Sequence, residues 1–334
     1  MKRNLLLSAL VISLLVFLGA CNEQATTPKN VTEEKLNIYT TVYPLKFFTE
    51  QIGGDLVHVE SIYPAGADEH TFEPTQKDMM KLADSDYFFY IGHQLEGFVP
   101  NAEKSLKKED VSFHAIGEMI PENLLLEGHG HHHEEEDGHD GHDGHEEHEE
   151  DAHDEHHHHH GDIDAHLWIT PTLGEQLAMN IHSILVEAMP EEKEALDQNL
   201  EEVKKQLTRL DEQFKEMSDK ATKRTFFVSH AAFGYLARDY NLEQVAVAGL
   251  NSQSEPSQKQ LAALVELAKE KEIDYIFFEQ NVSSKLTEVI QKEIGAEALE
   301  LHNLGVLTEE NIKNEDDYYT LMERNIEALT KALH

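Results

Sequence analysis

The chain has 334 residues, and its 65 Asp and Glu against 27 Lys and Arg give a formal net charge of −38. That imbalance repels phosphate, which argues against nucleic acid as a partner and welcomes a cationic ligand. The single cysteine, Cys21, leaves no internal disulfide and no zinc site of the cysteine-pair type.

The start of the chain predicts export. Lys2 and Arg3 precede an apolar run over 5–18, closed by Leu18-Gly19-Ala20-Cys21. This pattern predicts a secretory signal peptide over 1–20, too short for a membrane span of ~20 apolar residues. A lone cysteine after a small pair resembles a bacterial lipobox. The mature chain is therefore expected to begin at Cys21 with lipid on its sulfur; ordinary cleavage, with Cys21 incidental, is the alternative. Residues 21–35 are polar and read as a flexible tether. No later segment approaches a membrane span, so the expected location is the extracellular face of the cell membrane, held by the lipid. The rest is longer than one domain usually holds, which predicts two lobes.

From Leu36 strand-like and helix-like stretches alternate. Strands are predicted at 36–42, 57–62, 87–91 and 111–116, with helices between them, for example at 45–52 and 75–83. Such alternation predicts an α/β fold with parallel sheets covered on both faces. A tract over 129–160 follows that is almost wholly His, Asp, Glu and Gly. It has nothing apolar to bury and is expected to be a disordered loop. After it, 172–189 reads as a helix ended by Pro190. From Pro190 a seam of Leu196, Leu200, Val203, Leu207, Leu210, Phe214 and Met217 steps by fours and threes, predicting a helix about eight turns long. A single seam in such a chain is expected to pack across both lobes rather than form a free coiled coil. Further strands are predicted at 225–229, 244–248, 273–278 and 298–301, with helices at 257–271, 284–294 and 315–333. The expected domains are thus an N-terminal lobe over 36–189, a linking helix over 190–220 and a C-terminal lobe over 221–334. A monomer is expected.

Histidine carries the chemical signal on two scales. The tract holds His129, His131, His132, His133, His139, His142, His145, His148, His153, His156, His157, His158, His159 and His160, a composition that predicts weak auxiliary metal binding. Outside it, His70 in GADEHTFEP, His166 in DIDAHLWITP and His230 in FFVSHAAFGY each follow a strand or extended segment and precede a helix start. Ligands of open α/β sheets bind beyond the carboxyl ends of strands. Glu279, directly after the strand-like run Tyr275-Ile276-Phe277-Phe278, is a fourth position of this kind. Three imidazoles and a carboxylate suit tetrahedral zinc, whereas magnesium and calcium prefer oxygen. Any one of these residues alone is as well explained as a capping or hydrogen-bonding group. Glu69, beside His70, is the rival for the fourth ligand. His58, His93, His114, His182 and His302 lack the same flanking pattern.

In this order, the lipobox, TTVYPLKFFTEQIGGD, GADEHTFEPTQKDM, DAHLWITP, FFVSHAAFGYLA and FFEQNVSSK resemble the zinc-binding lipoproteins of bacterial zinc ABC transporters. These belong to the metal-binding cluster of solute-binding proteins, cluster A-I, and the resemblance covers essentially all of 36–334. It implies two (β/α)4 lobes joined by a long rigid α-helix, with a metal site in the interlobe cleft. It also implies His70, His166, His230 and Glu279 as ligands of transported Zn2+, a permease partner and a cytoplasmic ATPase. Manganese members usually carry Glu where His230 stands and Asp at the fourth site. The disulfide of some periplasmic relatives cannot exist here, which suits a Gram-positive-type surface. A continuous helix between lobes resists bending, so the resemblance implies slight lobe rotation on metal capture rather than a wide clamshell motion.

Two other functions compete. A metal-dependent hydrolase would also use three histidines around zinc. Against it, no HExxH occurs and no nucleophile motif stands out. A surface adhesin or scaffold with a structural metal is the second rival. The expectation is a binding protein and no enzyme.

Overall fold

The structure, a computed structural model, describes residues 35–127, 163–253, 256–280 and 284–334. The expectations for the signal peptide, for Cys21 and for the histidine tract lie outside these residues. Four strands, β1 (Leu36–Thr40), β2 (Val57–Ser61), β3 (Tyr87–Tyr90) and β4 (Ser112–Ala115), form a parallel sheet in the order β2-β1-β3-β4. A second parallel sheet repeats that order as β6-β5-β7-β8. Its strands are β5 (Thr225–Val228), β6 (Glu243–Ala246), β7 (Tyr275–Phe278) and β8 (Glu297–Glu300). Each expected strand is present.

The helices of the first half are α1 (Tyr43–Gly53), α2 (Gln76–Ala83), α3 (Val99–Leu106) and α4 (Pro171–Ala188). Local chemistry sets their ends. Thr75 and Asp78 form a capping box at the start of α2, and Pro171 opens α4 behind the Thr170 cap. Helix α5 (Lys193–Lys220) follows, then α6 (Gly234–Asp239), α7 (Gln258–Glu270), α8 (Lys285–Ile294), α9 (Glu309–Lys313) and α10 (Tyr318–Leu333).

Two helix starts lie later than the sequence reading placed them. A 3₁₀ turn over Pro190–Glu192 precedes α5, so the long helix proper starts at Lys193. The last helix starts at Tyr318 rather than near 315. Glu315 adopts a φ of 57°, and the Asp317 side chain accepts the Thr320 N–H, which sets the true first turn.

All seven seam residues of α5 are buried. The helix packs against α1 and α4 of the first half and α10 of the second, with each buried apolar side chain contributing about 1.5–3 kcal/mol. One apolar core runs from Ile38 and Phe88 through Leu207 and Phe214 to Phe226 and Val228. Strand alternation sends Phe227 the other way, into a smaller cluster with Val245, Ile276 and Ile290 under α7 and α8. The described residues from Leu36 to His334 accordingly group into one compact unit. In the second sheet β5 and β7 are neighbours, with Val228 opposite Phe277. Their chains therefore leave the sheet side by side, carrying His230 and Glu279.

Candidate metal centre

Four segments converge. His70 lies between β2 and α2, and His166 immediately precedes a 3₁₀ turn over Leu167–Ile169. His230 follows β5, and Glu279 follows β7 directly. The Nε2 atom of His166 lies 3.3 Å from Nε2 of His70 and 3.3 Å from Nε2 of His230. All three ligand nitrogens lie within 4.8 Å of one another. His166 and His230 are buried, and His70 is partly exposed. Two nitrogens bound tetrahedrally to zinc at about 2.0–2.1 Å stand about 3.3–3.4 Å apart. The two 3.3 Å spacings are therefore of the size that a shared zinc ion requires.

Behind these nitrogens, carboxylates face the opposite edge of two rings. Asp164 Oδ1 lies 2.8 Å from His166 Nδ1 and also accepts the His166 backbone N–H at 3.0 Å. Glu279 Oε1 lies 2.6 Å from His230 Nδ1. A carboxylate at Nδ1 favours the tautomer that keeps a proton there, which leaves the Nε2 lone pair for a metal. The backbone N–H of His70 bonds Asp68 Oδ1 at 2.9 Å, fixing its turn.

The acidic groups are buried and densely bonded. Glu279 receives Ser229 Oγ at 2.5 Å on Oε1 and the Asn303 amide at 2.9 Å on Oε2. Thus Glu279 faces His230 from the Nδ1 side rather than joining the Nε2 cluster. Glu69 is buried too and accepts the same Asn303 amide at 3.1 Å through Oε1. Gly305 makes room for it, since a Cβ there would stand 2.6 Å from Glu69 Oε1. Burial holds the Glu69 carboxyl above the ordinary range, a shift opposed by the nearby His230 and His166. Burial also disfavours charge on Glu279, but His230, Ser229 and Asn303 outweigh it and hold its pKa low. Burial opposes a proton on His230, yet Glu279 raises its pKa. His70 falls to about 2, through burial and then repulsion from the other two imidazoles. A cluster that disfavours protons on His70 and surrounds its imidazoles with carboxylates is suited to a divalent cation.

Sequence reasoning missed two supporting residues. Asp164 was available as the acid two positions before His166, a spacing that lets one carboxylate reach both backbone and ring. Asn303 had no signal, because its role depends on a turn far along the chain. The remaining described histidines join no metal-sized cluster among the described residues. His58 meets Glu60, His93 meets the Gly117 carbonyl, and His182 meets Asp197. His114 packs against Tyr87 and Phe89, and His302 bonds Asn311.

Known zinc-binding proteins resemble this chain. The zinc-binding lipoprotein AdcA of Streptococcus pneumoniae serotype 4 is 38% identical over 98% of this chain and 60% of that protein. This chain thus spans about 60% of the length of its streptococcal relatives. The high-affinity zinc uptake system protein ZnuA of Bacillus subtilis is 34% identical over 95% of this chain and 94% of that protein. The crystal structure of the Zn(II)-bound ZnuA-like domain of S. pneumoniae AdcA superposes with a TM-score of 0.70 at 33% identity, covering 90% of this chain and 99% of that one. The laminin-binding protein Lmb of Streptococcus agalactiae, described as bifunctional with adhesin and metal transporting activity, gives 0.74 at 26% identity, covering 90% and 100%. Residues 38–332 match the family described as zinc-uptake complex component A, periplasmic, and the chain belongs to that family.

Proposed function

We propose that this protein is the extracellular zinc-binding component of an ABC importer. It captures Zn2+ and delivers it to a membrane permease served by a cytoplasmic ATPase. The observation that carries this reading is the pair of 3.3 Å Nε2 contacts among His70, His166 and His230 in a largely buried pocket. Nitrogen donors favour zinc over magnesium and calcium. The names of the relatives, zinc-binding lipoprotein and zinc uptake protein, support the same cargo. Anchoring through lipid on Cys21 and action as a monomer belong to this reading. Catalysis does not, since a fourth, acidic ligand leaves zinc no open position for substrate.

The three imidazoles supply the first ligands, and a carboxylate completes the shell. Sequence pattern favours Glu279 for that place; neither Glu279 nor Glu69 belongs to the cluster of ligand atoms within 4.8 Å formed by the three histidines, and we assign it to Glu69 because its carboxylate has the fewer partners. Both Glu279 oxygens already have partners, including His230 Nδ1, so its role is to orient His230. Among the described residues, the only side-chain donor to the Glu69 carboxylate is the Asn303 amide, the Tyr63 hydroxyl donating to the Glu69 backbone carbonyl. Similarity to Lmb, described as an adhesin as well as a metal transporter, supports adhesion as a second activity. Its mark would be a binding phenotype that persists in zinc-replete medium.

The deciding measurement is metal content of protein purified without chelator, with anomalous scattering at the zinc edge. The expected result is one ordered zinc among the three Nε2 atoms, with Glu69 in contact. Absence of zinc there would refute the reading. Zinc bound with Glu279 in contact and Glu69 withdrawn would refute only the fourth-ligand assignment.

A further inference from the structure

The turn that follows β8 is densely bonded for a loop. The His302 Nδ1 accepts the Leu304 N–H at 3.0 Å, and Asn303 Oδ1 accepts the Gly305 N–H at 2.9 Å. Leu304 has a φ of 61°, a conformation that costs a non-glycine residue energy and persists only where surrounding contacts enforce it. The Asn325 side chain brackets the His302 backbone from both sides, accepting its N–H at 2.8 Å and donating to its carbonyl at 2.8 Å. The Gly305 carbonyl accepts the Tyr43 N–H from the first half at 2.8 Å.

All this fixes one side chain, Asn303, which is 1% exposed. Its Nδ2 donates to Glu69 Oε1 at 3.1 Å and to Glu279 Oε2 at 2.9 Å, while its Oδ1 also accepts Gln280 Nε2 at 3.0 Å. Its carbonyl accepts the indole N–H of Trp168 at 2.6 Å. Trp168 lies two residues beyond His166, with ring centroids 5.5 Å apart. A carboxamide carries two hydrogens, enough for one carboxylate each. Lys or Arg could bridge two acids as well, but would repel an arriving cation. A neutral amide does not.

Resting on the zinc reading above, we propose that Asn303 is a positioning residue of the metal site. Its neutral amide bridges Glu69 and Glu279 and holds Glu69 toward the imidazole cluster before the cation arrives. Glu69 comes from the first half of the chain and Glu279 from the second, so the bridge also keeps the two sides of the site in register. The cation then meets a carboxylate already in place. Preorganisation of this kind slows release more than it speeds capture.

The test uses the full chain and zinc ion. Trp168 is the sole tryptophan, so its fluorescence reports the core site whatever other histidines bind. Asn303→Ser retains an acceptor for the Gly305 N–H and removes both amide donors. Stopped-flow zinc binding and chelator-induced release should show a dissociation rate raised about 10- to 100-fold, the usual effect of losing an outer partner of a metal ligand. The association rate should stay within about threefold, by the same argument. In a Glu69→Gln background the same substitution should change release less than about threefold, because the group it positions has lost its charge. Equal effects with and without Glu69 would show a merely structural role and overturn the proposal, as would an unchanged release rate. Asn303→Thr likewise retains a hydroxyl acceptor and removes both amide donors without adding charge. If the serine variant melts near working temperature, the threonine variant takes its place in the same cycle, and the same outcomes support or overturn the proposal. Loss of all zinc response in the parent protein would sink the zinc reading itself, an outcome separate from any result on Asn303.

Discussion

Replacing Asp164 should weaken zinc binding in two graded steps. The carboxylate accepts from both the ring Nδ1 and the backbone N–H of His166, at 2.8 and 3.0 Å, in a pocket where His166 is 1% exposed. Asp164→Asn keeps an acceptor of the same size but removes the charge. A hydrogen bond to a charged group contributes about 1.5–3 kcal/mol and a neutral one about 1 kcal/mol. The expected loss is therefore about 1 kcal/mol, or roughly five- to tenfold in zinc affinity. Asp164→Ala removes the acceptor as well. It orphans two buried donors, each costing about 1–3 kcal/mol, and leaves nothing to keep the proton on Nδ1. Zinc affinity should then fall by about 100-fold, and the metal-free protein should melt at lower temperature. Competition with a zinc chelator, read by Trp168 fluorescence, gives the affinities, and calorimetric melting gives the stability. Asparagine and alanine variants of equal zinc affinity would falsify the idea that Asp164 charge and tautomer control tune the site.

His230→Ala removes one of the three converging nitrogens, and zinc affinity at the site reported by Trp168 should fall by at least about 100-fold, the loss of one ligand exceeding that of an outer partner; wild-type affinity in competition would refute the ligand set. Deleting 129–160, the tract of 14 histidines, should reduce zinc stoichiometry by calorimetry while leaving core affinity unchanged, and the extra sites should fade as pH falls through about 6.5; equal stoichiometry would refute it. Glu96 makes a separate pH prediction: burial raises its pKa to about 7 despite hydrogen bonds from the Ile91 N–H, Thr41 and the Gly92 N–H. Because the folded value exceeds the unfolded one, its stabilising contribution is complete below pH about 4.5 and is lost as pH rises through about 7, a swing on the order of 3 kcal/mol. Melting Glu96→Gln beside the parent from pH 5 to 8 should give the flatter profile for the variant, and identical slopes would remove Glu96 as the cause.

Much of this was legible because apolar periodicity is a local signal. The α5 seam and the buried runs Phe226-Phe227-Val228 and Tyr275-Ile276-Phe277-Phe278 identify themselves without any tertiary information. His230 and Glu279 were legible for a related reason: they stand at the ends of β5 and β7, and strand ends can be located from sequence, whereas His70 and His166 lie in loops away from any strand end. Helix starts were harder. A cap such as Asp317 competes with an apolar pattern that runs on past it, and the pattern alone placed α10 too early. The hydrogen-bond partners of the site were harder still. That Glu279 meets Nδ1 of His230 follows from β5 and β7 being neighbours, which is a fact of strand order. Asn303 depends on a left-handed Leu304 and on Gly305 yielding space to Glu69, neither of which has a pattern along the chain.

Strand order also explains how the site separates two tasks that a simple acidic pocket would confuse. Carboxylates attract any cation, whereas imidazole nitrogens discriminate among them. Here the nitrogens converge on one point and two of the acids stand one ring behind: Asp164 acts through His166, and Glu279 through His230. Among the described residues no Lys or Arg side chain bonds to Asp164, Glu69 or Glu279, so no fixed positive charge pairs with these acids. On the proposed ligand set the field favours a divalent charge, while the atoms that would touch the ion are mostly nitrogen. Exchanging an imidazole for a carboxylate would strengthen the first property and weaken the second. The long-range charge of −38 adds to attraction but cannot add to discrimination, since it acts on every cation alike. On the proposed ligand set, selectivity would therefore reside in three ring orientations, two of them set by the carboxylate behind each ring.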